Sequence, residues 1–160
     1  MSVDERSFRK TLSCFASGVT VVTTATAEGE YCGVTVSAFS SVSLEPPLIL
    51  VCLNNATNHL DAYCDGKLVV HVLRETQQAH SIRFASRADD KFAGLDIVEW
   101  DGVPTLQNTL AQLRCTVHAV HDGGDHKIIV CRVDDLQYDN GGQPLLYFRG
   151  AYEKLHGSTI

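Results

Sequence analysis

The chain has 160 residues, of which 44% are hydrophobic and 20% charged, and its formal net charge is −6. That length and apolar share suffice for one domain with its own core, and the acidic balance excludes a broad basic face for nucleic acid. No apolar run reaches membrane-spanning length, and residues 1–20 lack the basic start and apolar core of a secretion signal, so the expectation is a cytoplasmic protein.

The opening VDERSFRKTLSCFASG predicts a short helix, because Phe8, Leu12 and Phe15 recur at helical spacing and Gly18 suits its end. VTVVTTAT is β-branched and strand-like. AEGE marks a hairpin turn and YCGVTVSAF its partner strand. In SLEPP, Pro46 and Pro47 have no N–H for a ladder and predict an extended break. LILVCL is a continuous apolar run, read as a strand buried on both faces. NNATNHLDAYC predicts a short helix with a polar N-terminus, KLVVHVL a strand, and ETQQAHSIRFAS another polar-faced helix. Residues 87–107 read as an irregular excursion around the only tryptophan, Trp100. LAQLRCTVHAVHD, HKIIVCRVDDLQYD and PLLYFRGAY are three further strands, separated by turns at Gly123 and Gly124 and at Gly141 and Gly142. HGSTI reads as a soft tail.

The pattern predicts a single domain over residues 1–160, with its core spanning about residues 8–155, and a mainly β class with short helices. About seven strands follow one another through tight turns, which favours antiparallel pairing in a small barrel with helices packed outside. A Rossmann fold is excluded, since strands and long helices do not alternate and no G-x-G-x-x-G occurs. The six cysteines, Cys14, Cys32, Cys52, Cys64, Cys115 and Cys131, are widely spaced without a C-x-x-C pair. They read as reduced, small hydrophobes and not as zinc ligands or disulfides.

Three segments place unusual polar groups among apolar strands. In GVTVSAFSSVSL the hydroxyls of Thr35, Ser37, Ser40, Ser41 and Ser43 suit either a half-exposed strand with a serine-rich loop or a wall of small side chains and N–H groups for a flat polar ligand. In LNNATNHL, Asn54, Asn55 and Thr57 stand at a strand-to-helix junction, where N–H groups either attract phosphate or are capped in the ordinary way. In SIRFAS, Arg83 falls late in a helix, where a cation suits the helix end and a phosphate role requires it to point inward. His118 and His121 point to opposite faces of a strand, and His71 and His80 sit in apolar patterns as satisfied core or interface histidines. In HDGGDHKIIVCRV, the Asp125 and His126 pair after a glycine turn leaves open a cap, a metal ligand, an acid–base pair or a ligand contact. No G-x-S-x-G nucleophile elbow is present, and the spacing supplies no three convergent metal ligands.

FRKTLSCFASGVTVVTT, GVTVSAFSSVSLEPPLILVCL, QAHSIRFA, GDHKIIVCRV and PLLYFRGAY occur in that order. Together, from about Phe8 to Tyr152, they resemble the short-chain flavin reductases of two-component flavin-dependent monooxygenases. The resemblance implies a split β-barrel, Greek-key-like and of FMN-binding type, working as a homodimer. It implies hydride transfer from NADH or NADPH to FMN or FAD, with the reduced flavin passed to a separate monooxygenase component. It involves no metal, nucleic acid or membrane. Carried over by residue, it implies Thr35, Val36, Ser37 and Ala38 along the flavin ring and ribityl chain, with Ser40 adding a polar contact. Asn54, Asn55, Thr57 and Asn58 match a first phosphate-side loop, and Ser81, Arg83, Phe84 and Ala85 a second. His126 matches the histidine that positions the nicotinamide, and Phe148, Arg149 and Tyr152 match the segment closing over it. Such chemistry needs no side-chain nucleophile, because the cofactors carry it while the protein stacks and orients them. Two other readings share the barrel: a non-catalytic flavin-binding module, and a flavin-dependent reductase of ferric or corrinoid acceptors.

Overall fold

The computed structural model describes residues 3–155, so the HGSTI tail lies outside the described residues. Helix α1 (Glu5–Leu12) is capped by Asp4, whose carboxylate accepts from the Ser7 N–H at 3.0 Å. It ends sooner than its apolar spacing predicts. Phe8, Leu12 and Phe15 are 52%, 56% and 80% exposed, so among the described residues much of the apolar stripe is left uncovered. Strands β1 (Ser17–Gly18), β2 (Thr20–Ala25), β3 (Tyr31–Val36), β4 (Phe39–Leu44) and β5 (Pro47–Asn54) follow. Next come α2 (Leu60–Cys64), β6 (Lys67–Val72), a 3₁₀ turn (Glu75–Gln77) and α3 (Gln78–Ala85). The rest is strand: β7 (Ile97–Trp100), β8 (Val103–Leu106), β9 (Ala111–Gly123), β10 (His126–Tyr138), β11 (Leu146–Phe148) and β12 (Ala151–Glu153).

Seven strands form one antiparallel sheet in the order β3-β2-β6-β9-β10-β5-β4. Its two outermost strands, β3 and β4, are consecutive in the chain and separated only by Ser37 and Ala38. A twisted sheet whose edges must meet within two residues curls on itself, which is the barrel expected from the sequence. Val22, Val51, Leu53, Leu68, Val70, Cys115, Ile129 and Cys131 fill its inside, and Tyr63 of α2 joins them. Side chains alternate along β2, so Val21 points outward from the barrel while Val22 points in. Val21 joins Phe84 of α3, Leu106 of β8, Leu73 and Leu145 in a second core outside the barrel.

Several local expectations change. The serine-rich segment is a strand, β4, paired with β5 through Leu44 opposite Pro47. SLEPP is therefore a two-residue hairpin connection and not an extended break, with Pro47 tolerated as the first residue of its strand. LILVCL buries one face only, with Ile49, Val51 and Leu53 inside and Leu48, Leu50 and Cys52 half-buried, as an antiparallel barrel strand requires. The excursion at 87–107 contains the β7–β8 hairpin, and PLLYFRGAY is the β11–β12 hairpin, not one strand. Both turn on two residues with positive φ, Asp101 and Gly102 (47° and 81°) and Arg149 and Gly150 (48° and 83°), the geometry that continues strand twist through a tight loop. NNATNHLDAYC is helical only from Leu60. Twelve strands, several of them very short, thus stand among the described residues where the pattern suggested about seven.

His71 is fully buried and fully satisfied. Its Nδ1–H donates to the Val21 carbonyl at 3.0 Å, and its Nε2 accepts from the Leu106 N–H at 3.1 Å. It thereby pins β8 to β2 through a neutral ring, and burial pushes its pKa down to about 4 from the ordinary 6.5. The unfolded chain then binds the extra proton first as pH falls, so stability present above pH 6.5 is lost toward pH 4, by up to about 1.4 kcal/mol per pH unit. A comparison of unfolding free energy for the wild type and His71→Gln across that window is expected to show a shallower slope in the variant. Equal slopes would remove His71 as its source.

Candidate functional site

Several of the predicted site residues lie along β3 and the elements packed against it. Gly33 of β3 lies directly against α3: a Cβ there would stand 2.5 Å from Cδ1 of Phe84. Phe84 is itself buried and meets Phe92 edge-on, with ring centroids 5.1 Å apart. Two residues along, Thr35 Oγ1 donates to the Ser81 carbonyl at 2.7 Å. The Ser81 hydroxyl is in turn 2.7 Å from the Tyr152 hydroxyl. β3, α3 and β12 are thus tied in sequence through Thr35, Ser81 and Tyr152.

A cleft of about 540 Å³ opens beside this seam, between the start of β3, the loop at 56–59 and the segment following α3. Thr57, Asn58, Phe84 and Ala85, four of the predicted residues, line it. Lys91 lines it too and was not singled out from the sequence. A lone lysine in the run RADDKF reads as solvated, and no periodicity marks it as anything else.

The corner between β3 and β4 completes the site. Ala38 accepts from the Cys52 N–H at 3.0 Å, while the N–H groups of Ser37 and Ala38 meet no acceptor among the described residues. The adjoining ladder between β5 and β10 ends with Asn54 opposite His126. The Asn55 N–H donates to the Asp125 carbonyl at 2.9 Å, and its side-chain amide donates to the Gly124 carbonyl at 3.2 Å. The asparagine loop and the Gly-Asp-His turn are therefore one construction. Gly123 stays in the ladder opposite His126, and Gly124 (φ 77°) and Asp125 form the turn itself. His126 Nδ1 is 2.7 Å from Asp125 Oδ1. That hydrogen bond, with the imidazole's charge when it is protonated, holds the Asp125 carboxyl below the usual carboxylate range. The ionised carboxylate takes the Nδ1–H and leaves Nε2 as the ring's free nitrogen.

Other predicted residues are placed differently. Val36 is buried in the barrel, so its main chain alone faces the corner. Ser40 lies on the exposed strand β4, with its hydroxyl on the Ser41 carbonyl at 3.0 Å. Arg83 Nη1 donates to the Ala93 carbonyl at 2.9 Å and braces the segment after α3, and it does not line the cleft. The Arg149 N–H donates to the Ser13 carbonyl at 2.9 Å, and its guanidinium sits 5.0 Å over its own Phe148 ring. Among the described residues, no group of three or more His, Cys, Asp or Glu side chains converges to hold a metal ion, and no helix is long and apolar enough to cross a membrane.

Residues 12–156 match the family described as flavin reductase like domain. The chain is 41% identical over 153 residues to the reductase subunit of a flavin-dependent monooxygenase from Rhodococcus jostii, covering 94% of this chain and 78% of that one. It is 38% identical over 152 residues to the reductase component of 4-hydroxyphenylacetate 3-monooxygenase from Thermus thermophilus, covering 94% and 97%. Among solved structures, a Streptomyces globisporus NADH:FAD oxidoreductase in complex with NAD and FAD fragments superposes with a TM-score of 0.91. It is 30% identical, and the match covers 100% of this chain and 99% of that one.

The Gly33 contact carries a direct consequence for stability. Gly33→Ala forces the Phe84 ring aside and is expected to lower the unfolding free energy by about 1–3 kcal/mol. In a Phe84→Leu background the same change is expected to cost less. Equal costs in the two backgrounds, measured by urea unfolding, would show that the ring does not set the requirement for glycine.

Proposed function

The chain belongs to the flavin reductase-like family, and from that premise we propose that it binds FMN or FAD along residues 35–38 and holds the nicotinamide at His126. It is an NADH-dependent flavin reductase that supplies reduced flavin to a monooxygenase component. The observation that carries the site assignment is the pair of N–H groups at Ser37 and Ala38 that meet no acceptor among the described residues, beside the β5–β10 ladder that ends in Asn54 and His126. A bound flavin supplies the hydride acceptor, so no side-chain nucleophile is required. The Ser37 and Ala38 N–H groups serve as fixed donors for negative charge on the ring edge. The small side chains beside them allow the close approach of a flat ring. Thr57 and Asn58 supply polar groups on the phosphate side of the cleft. His126, oriented by Asp125, docks the nicotinamide through Nε2 and abstracts no proton.

A homodimer accompanies this reading. The apolar stripe of α1 is too exposed to be left in water without a partner, and a second copy is the occupant we propose. A cytoplasmic setting also accompanies it, because all six cysteines are free.

Three experiments test these statements. In steady-state assays crossing NADH and NADPH with FMN and FAD, nicotinamide oxidation is expected only when flavin is added, and silence in all four combinations defeats the enzyme. His126→Ala is expected to raise the nicotinamide KM or to slow flavin reduction. Unchanged single-turnover reduction at every nicotinamide concentration would take His126 out of the site. By light scattering, the wild type is expected to have twice the mass of one chain, and Leu12→Glu combined with Phe15→Glu the mass of one. A monomeric wild type at micromolar concentration would end the dimer proposal.

A further inference from the structure

Residues 139–145 carry the chain from β10 to β11 outside any helix or strand, and a side chain from elsewhere organises them. Arg74 follows β6, and its half-buried guanidinium reaches two loops at once. Nε donates to the Asn108 carbonyl at 2.8 Å and Nη1 to the Gly141 carbonyl at 3.3 Å. Nη2 is paired with the Asp139 carboxylate. The other oxygen of that carboxylate accepts from the Gly141 N–H at 2.8 Å. The Gly141 N–H and the guanidinium together hold the Asp139 carboxyl below the usual carboxylate range. At Gly142 a Cβ would collide with Nη1, and φ is 90°, so the loop closes on the guanidinium at a position that calls for glycine. Three nitrogens of one rigid fork thus set the course of the loop.

The loop delivers an element with few anchors of its own. Beyond Gly142, the Glu75 N–H donates to the Gln143 carbonyl at 2.9 Å and the Leu145 N–H to the Leu73 carbonyl at 2.9 Å. The chain then enters the β11–β12 hairpin. Its ladder to the rest of the fold is two residues long, Ser17 opposite Tyr147 and Gly18 opposite Leu146. At its turn the Arg149 N–H reaches the Ser13 carbonyl. On its second strand Tyr152 meets Ser81, whose carbonyl holds Thr35 two residues before Ser37. A hairpin with so short a ladder is poorly fixed by its own pairing and stands where its leading loop puts it. Arg74 does not line the 540 Å³ cleft, so any effect it has on the site passes through this hairpin.

We propose that Arg74 is a positioning residue for the nicotinamide: by fixing residues 139–145 it sets where the β11–β12 hairpin, with Phe148, Arg149 and Tyr152, stands beside the Ser37–Ala38 corner. This rests on the flavin-reductase reading, in which those three residues close over the nicotinamide, and adds to it a residue that acts from outside the site. The competing role is a clamp between two loops that serves stability alone.

Two conservative variants separate the roles. Arg74→Lys keeps the charge and loses the fork, and Asp139→Asn keeps the shape and loses the ion pair. Urea unfolding reports their stability, and steady-state kinetics report KM for NADH and for flavin separately. In both variants KM for NADH is expected to rise by about 10-fold. KM for flavin and kcat at saturating NADH are expected to stay within about 2-fold. In a Tyr152→Phe background, where the hairpin has already lost its tie to Ser81, Arg74→Lys is expected to add less than about 2-fold to KM for NADH. If the variants unfold more easily while the two KM values rise together or stay unchanged, Arg74 is only a clamp and the proposal is overturned. If the effects of Arg74→Lys and Tyr152→Phe on KM for NADH simply multiply, Arg74 does not act through the hairpin, which also overturns it. If the wild type oxidises no NADH with either flavin, the flavin-reductase reading itself fails and the proposal falls with it.

Discussion

The fold depends on a joint of two residues. Ser37 and Ala38 are all that separates the two edge strands of the seven-stranded sheet, so the sheet has to close there. The same joint is where the proposed site has its main-chain donors. Strands in a ladder use their N–H groups on each other, whereas a residue that steps from one edge to the other can leave its N–H outside the ladder. Among the described residues the Ser37 and Ala38 N–H groups meet no acceptor, at the point where the barrel closes. An enzyme whose cofactors supply the chemistry needs fixed donors of this kind more than it needs reactive side chains.

Around the joint, the second core holds the wall still. Phe84 buries its ring against the bare backbone of Gly33, and Leu106, Leu73 and Leu145 pack on the outward face of β2. The polar ties follow the same seam: Thr35 to Ser81, Ser81 to Tyr152, and Lys91 across Gly33 and Phe84. Rigidity at β3 thus comes from outside the barrel, through packing and hydrogen bonds that leave the corner open.

The sequence was most legible where one physical signal dominated. β-branched runs marked β2 and β6, and the short tight turns argued for antiparallel pairing and hence for a barrel. It was least legible where a strand is too short for periodicity to show. β7, β8, β11 and β12 have three or four residues each. Yet Asp101 with Gly102, set between VEW and VPTL, is a two-residue hairpin signal that could be read directly. The serine segment misled because β4 is an exposed edge strand, and an edge strand needs little apolar pattern. Of the proposed site residues, Thr35, Ser81, Thr57 and His126 lie in the motif segments. Arg83 and Lys91 could not be ranked from composition, since both are cations near the same helix end. Arg83 turns to the Ala93 carbonyl and Lys91 to the cleft, and only tertiary packing separates them.

His71 and His126 show how environment sets what one kind of side chain can do. His71 has both ring nitrogens taken by main-chain groups in a dry core, so it is neutral and has nothing left to offer a ligand. His126 stands in a turn at the end of a ladder, 40% exposed, with one nitrogen taken by its neighbouring carboxylate. Orientation by a partner, in place of orientation by burial, keeps Nε2 accessible while still fixing the plane of the ring. The proposed role of His126 toward a nicotinamide that must arrive, deliver a hydride and leave calls for such a contact at the surface. The buried arrangement of His71 would be better ordered, but it would admit no ligand.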